Sequence, residues 1–96
     1  MNKSYDSKTF NYILKKLIQS EGTPMTDVSR FSLDLFIKTF PKSKITISKS
    51  GDTEFTASIT LEGIPDVRCT NNSKSEALLD AVWEAWSQCI RNNLVE

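Results

Sequence analysis

Histidine is absent from the chain, and cysteine, glycine and proline are scarce, at two, three and three of 96 residues. Without histidine the usual general base, metal ligand and triad member is missing, so any catalysis would fall to carboxylates or lysine. The carboxylates are scattered over turns and solvent-facing helix positions, and none pairs in apolar surroundings that would drive two pKa values apart. Asp80 and Glu84 share a helix face four residues apart, a spacing that reads as a solvated face. Gly22, Gly51 and Gly63 stand singly, so no phosphate-cradling loop can be written. Cys69 and Cys89 are too few and too far apart for a metal knuckle or a disulfide framework, and both read as reduced, small apolar side chains. This composition leads to the expectation of no catalytic residue, no metal, no cofactor and no small-molecule substrate.

Long apolar runs are missing too, which excludes a helical membrane span. Residues 1–6 lack the basic-then-apolar layout of a secretory signal, so the expected location is the cytoplasm. The chain length suits one domain over residues 1–96, with residues 1–22 as an N-terminal helical extension and 27–91 as the core. A core this small leaves little depth for a substrate cleft.

Charge is balanced in total, with 12 basic and 12 acidic side chains, but unevenly placed. Residues 1–49 carry nine basic and four acidic side chains, whereas residues 50–96 carry three basic and eight acidic. If the fold keeps the halves apart, one face is positive and the other negative, an arrangement suited to oriented docking.

Periodicity gives the elements. Phe10, Ile13, Leu14, Leu17 and Ile18 follow the spacing of a helix with one buried stripe, leaving Lys8, Asn11, Lys15 and Gln19 to water. Asp6 or Ser7 is suited to cap it and Gly22 to end it. A linker at residues 23–26 contains Pro24. Over residues 27–40 two periods compete: Phe31, Leu33, Leu35 and Ile37 alternate like a strand, while Leu33, Phe36, Ile37 and Phe40 fit a helix. Phe36 would break the polar face of the strand, so the helix is preferred, capped by Asp27 or Ser29 and ended before Pro41. From Lys44 the period becomes two. Ile45 and Ile47 alternate with Thr46 and Ser48 as a half-buried strand. Residues 50–53 have turn chemistry, and Phe55, Ala57, Ile59 and Leu61 then alternate with Thr56, Ser58, Thr60 and Glu62, so the pair predicts an antiparallel hairpin. Gly63 and Pro65 mark a second turn, before a short edge strand in which Val67 and Cys69 face inward.

The last helix starts at a capping box. The Ser73 hydroxyl would accept from the Glu76 amide while the Glu76 carboxylate returns to the Ser73 amide. At about 100° per residue, Asp80, Glu84, Ser87 and Arg91 gather on one narrow polar stripe. Ala77, Ala81 and Ala85 form a small-residue side, and Leu79, Trp83, Trp86 and Ile90 a bulky one. The apolar arc covers roughly two-thirds of the circumference, more than one sheet can hide. Either the N-terminal helices cover the remainder, or Leu79, Trp83 and Trp86 form a partner-binding patch, since aromatic anchors are enriched at such centres.

A second candidate surface is basic. Lys38, Lys42, Lys44 and Lys49 straddle the end of the second helix and the first strand, where they would contact an anion or a nucleic-acid backbone. The isoelectric point near 6.3 argues instead for a basic rim or a docking patch for an acidic protein.

Over residues 28–90 the order helix, three strands, helix resembles that of double-stranded RNA-binding domains. Gly51-Asp52 lies where that family carries its Gly-Pro loop, the alternating run from Phe55 to Leu61 sits like its second strand, and Ser73-Lys74-Ser75-Glu76-Ala77 is similar to its Ser-Lys-Lys-x-Ala-Lys helix start. The second lysine is Ser75 here and the third is Leu78, and the loop histidine is missing, so the resemblance carries over only Lys74 as a phosphate contact. Members of that family that have lost those contacts bind proteins, which is what the loss implies. The stretch from Ile64 to Thr70 with Glu76-Ala77 also resembles the C-terminal strand and helix of HicB-type antitoxins. In size and near-neutral charge the chain is similar in style to small phage-encoded inhibitors of host defences, anti-CRISPR proteins among them.

The expectation is therefore an α+β domain of order α-α-β-β-β-α, a three-stranded antiparallel sheet packed by the C-terminal helix and completed by the N-terminal helices. Its expected role is that of a protein-binding regulator or inhibitor. Nucleic acid stands as the second partner class, an antitoxin-like role as a further alternative, and self-association through the last helix as the third possibility.

Overall fold

Two helices lead the chain in a computed structural model that describes residues 7–21 and 28–95: α1 (Ser7–Glu21) and α2 (Val28–Thr39). Strands β1 (Lys44–Lys49), β2 (Phe55–Thr60) and β3 (Val67–Asn71) follow, and α3 (Lys74–Arg91) closes the order. The order α-α-β-β-β-α is as the periodicities predicted, and residues 28–39 are helical. The caps expected at Asp6 and Asp27, the Gly22 helix stop and the linker at 23–26 lie outside the described residues, as do the side chains of Ser7, Leu17 and Ser29.

The sheet runs β1-β2-β3, antiparallel throughout. Ile45 pairs with Ile59 and Ile47 with Ala57, while Ala57 pairs with Cys69 and Ile59 with Val67, so one face is apolar. The other face carries Thr46, Ser48, Thr56, Ser58, Thr60 and Thr70, with Thr56 and Thr70 sharing a hydrogen bond of 3.0 Å. This inward–outward alternation is the half-solvated antiparallel pattern.

Helix α3 is the middle of three layers. One side packs on β2 and β3, and the other meets α1 and α2. Rings fill the second contact: Trp86 touches Tyr12, Phe36 and Phe40 at centroid distances of 5.5, 5.3 and 6.0 Å, and Trp83 stacks on Phe10 at 6.2 Å. The sheet is therefore met by the alanine side, where Ala77, Ala81 and Ala85 are fully buried. A helix sandwiched in this way must be apolar around most of its circumference, which accounts for the width of its arc.

Local chemistry fixes its ends. Ser73 has extended backbone and its hydroxyl accepts from the Glu76 amide at 3.4 Å, which is the expected half of the box. The return bond differs: the Ser73 amide donates to Asn71 Oδ1 at the end of β3, also at 3.4 Å, while the Glu76 side chain is exposed. Ser73→Ala will lower stability by about 1 kcal/mol, read by urea unfolding, since one helix-end N–H loses its side-chain acceptor. At the other end Asn93, at φ 60°, takes the left-handed position, Asn93 N–H donates to Ile90 O, and Leu94 N–H reaches back to Cys89 O. That is a Schellman stop with asparagine in place of glycine. It carries Leu94 against Gly63, whose φ of 107° and tight neighbour leave no room for a side chain.

Three expectations about burial are corrected. In α1, Phe10 and Ile18 are 42% and 45% exposed, while Thr9 and Ile13 are buried. The buried stripe is thus rotated, because Tyr12 and Ile13 are the positions that turn toward α3 and α2. In α2, Ile37 faces out and Ser32 is buried, since Trp86 Nε1 donates to Ser32 O at 3.0 Å and holds that side of the helix against α3. In β1, Ile47 is 37% exposed, not half-buried with the rest of its face, because α3 lies across β2 and β3 and leaves β1 uncovered.

Thr9 supplies a test of the α1 docking. Its hydroxyl is buried with no hydrogen-bond partner among the described residues. Thr9→Val keeps the shape and removes the unmet polar atom, so it will raise stability by about 1 kcal/mol in the same unfolding measurement.

Candidate functional site

The aromatic patch expected on α3 is inside the protein. Trp86 is fully buried and Trp83 is 4% exposed, enclosed by the N-terminal helices that the wide apolar arc requires. As a docking face or a self-association face, that side of α3 is already occupied. Leu79 alone of the three reaches the surface: it is half-buried and lines a groove of about 280 Å³ between α2 and α3 with Arg30, Leu33, Asp34, Ser75 and Leu78. The groove rim holds one charge of each sign, so it selects no partner by charge.

The basic residues divide into two groups. Lys38 lies in the last turn of α2, Lys42 in the turn after it, and Lys44 opens β1, so these three share the α2–β1 junction. That junction is shaped by Pro41 and by Ser43, whose amide and hydroxyl both donate to Phe40 O, at 3.0 and 2.7 Å. Lys49 closes β1 at its far end, and its odd separation from Lys44 puts the two side chains on opposite faces of the sheet. Lys49 instead pairs across the ladder with Phe55, whose ring lies 5.9 Å from Lys74 Nζ. The structure therefore brings Lys49 and Lys74 together around Phe55 and separates them from Lys38, Lys42 and Lys44. A cation over an exposed ring contributes on the order of 0.5–1 kcal/mol.

Sequence reasoning missed the edge of β1. Nothing among the described residues pairs with its outer side, and it carries the exposed Ile47. The alternation of Ile45 and Ile47 was the available signal, but it reports a shared face and not whether a helix covers that face.

Asp80 accepts from Asn71 Nδ2 at 3.3 Å, and Glu84 accepts from Gln88 Nε2 at 3.2 Å and lies 3.7 Å from Arg91, so each carboxylate is engaged with separate neighbours. Burial pushes the Cys89 thiol up from 9.0 to about 11. It stays protonated at neutral pH and behaves as an inert apolar side chain. Among the described residues no group of three or more acidic, cysteine or histidine side chains is placed to hold a metal ion, and no helix is long and apolar enough to cross a membrane. Set against protein-family models, curated proteins and solved structures, the chain matches none of the three.

Proposed function

We propose that the protein is a small non-catalytic regulator or inhibitor that acts in the cytoplasm by binding another protein and blocking its surface. The observation that carries this reading is the exposure of two large aliphatic side chains, Ile37 in α2 and Ile47 in β1, at 48% and 37%, each on an element that also carries lysine. Exposed large aliphatic side chains beside charged groups are a feature of interaction surfaces. The style shared with phage-encoded inhibitors puts host-defence complexes first among the partners to try. The test is affinity capture from the native host with mass-spectrometric identification, followed by reconstitution from purified components. A defined complex supports the reading; failure of every purified candidate to bind, with tight binding to nucleic acid alone, overturns it.

One observation favours a second reading, a module that binds duplex RNA or DNA. Lys49 and Lys74 flank the partly exposed Phe55, and such a basic and aromatic cluster suits a phosphate backbone with one stacked or edge contact. Under that reading the affinity for a short duplex falls steeply with salt, and joint replacement of Lys49 and Lys74 flattens the salt dependence by about two ion equivalents.

A further inference from the structure

We infer that the open edge of β1 is the contact strand, and that its occupant is an extended acidic segment of a different protein, added to the sheet as a fourth strand; this rests on the protein-binding reading above. The backbone supplies the attachment points. Ser50 N–H donates to Glu54 O at 2.9 Å, which makes the pair next to Lys49 and Phe55 a hydrogen-bonded one. Bonded and non-bonded pairs alternate along an antiparallel ladder, so Ser48, Thr46 and Lys44 bond inward to β2. The N–H and C=O groups of Ile45, Ile47 and Lys49 then point away from β2, along an edge that no described residue pairs with. Main-chain groups presented along a sheet edge in this way are what an added strand bonds to.

Side chains favour one kind of occupant. Ile45 and Ile47 lie on the sheet face that carries α3, on the strand farthest from it; Ile45 is partly buried against the core and Ile47 is 37% exposed, so an added strand with apolar residues on that side would extend the core. From Ile37 to Gly51 the sequence holds Lys38, Lys42, Lys44 and Lys49 and no acidic residue. Lysines along an edge deter pairing between like edges. A second copy offers the same lysine-rich strand, and only Asp52 and Glu54 at the hairpin tip would oppose that repulsion. An acidic strand meets no such penalty, and its charge also speeds encounter. The other edge, β3, is shorter, follows Pro65 and has its apolar side chains covered by α3.

The experiment uses the full chain with three probes: a short peptide of alternating valine and threonine flanked by acidic residues, its lysine-flanked counterpart, and the acidic peptide with one central N-methylated valine. Amide shifts and hydrogen exchange are followed by NMR. The expected result is binding of the acidic peptide alone, with new protection at the Ile45, Ile47 and Lys49 amides and none at β3. Ile47→Pro removes an outward N–H while leaving the bonds to β2 in place, and should weaken the peptide by about tenfold, the equivalent of one lost hydrogen bond. Ile47→Glu keeps that N–H, adds a like charge to the occupant and should weaken it similarly, which guards against a folding defect of the proline variant. Equal binding of the lysine-flanked peptide, protection mapped elsewhere, or a dimer in ultracentrifugation with the edge amides already protected would each overturn the assignment. A captured protein partner that binds both Ile47 variants unchanged would overturn the edge assignment while leaving the protein-binding reading intact.

Discussion

Trp86→Ala will lose about 3–5 kcal/mol of folding stability, the range for removing a buried ring from a core. Against a total of roughly 5–15 kcal/mol for a small domain, that is enough to leave much of the protein unfolded at moderate temperature. The size of the effect follows from how many layers the indole joins. It is fully buried, it contacts rings from α1, α2 and the α2–β1 junction, and its N–H reaches the backbone of α2 at Ser32. Removing it leaves a cavity at the meeting point of three elements that cannot all close in at once. Trp86→Phe separates the contributions. It keeps most of the ring contact and removes the hydrogen bond, so it should cost nearer 1 kcal/mol beyond the change in shape. Urea unfolding followed by circular dichroism gives both values. A cost below about 1 kcal/mol for Trp86→Ala would mean that the ring is not enclosed, and the bulky face of α3 would again be open to a partner.

That prediction marks the point at which the sequence stopped being informative. The helical spacing of α3 told that it was apolar over most of its circumference, and the Ser73 cap and the β1–β2 hairpin were readable from local chemistry. What covers each side of a helix is a tertiary fact, however, and Leu79, Trp83 and Trp86 have the same spacing whether they meet solvent, a partner or α2. The rotation of α1 has the same origin. Phe10 and Ile18 outweigh Thr9 in any hydropathy pattern, yet Thr9 is the buried residue because Tyr12 and Ile13 must reach Trp86 and the core. The exposure of Ile47 depends on where α3 crosses the sheet, which no period within β1 reports. The lysines were legible as a cluster along the chain, but strand parity divides them between two faces. The return bond of the capping box was lost to Asn71, a residue of the preceding strand and not of the helix pattern.

Ala81→Leu will destabilise the fold by about 1–3 kcal/mol, for the opposite reason to Trp86→Ala. On the sheet side of α3, Ala77, Ala81 and Ala85 are fully buried, as is Ala57 at the centre of β2. Small side chains on both surfaces let the helix lie close over β2 and β3, and a leucine at Ala81 must push the layers apart or leave its preferred rotamers. The two substitutions therefore test the two sides of one helix, one needing bulk and the other needing its absence. Each kcal/mol corresponds to about 4–8 °C in Tm for a domain of this size, so a thermal melt resolves the effect. Leu79→Ala, at the half-exposed groove, gives the scale for a position on α3 with room to relax and should cost less than either. If Ala81→Leu were neutral, the gap between helix and sheet would be wider than the alanines imply.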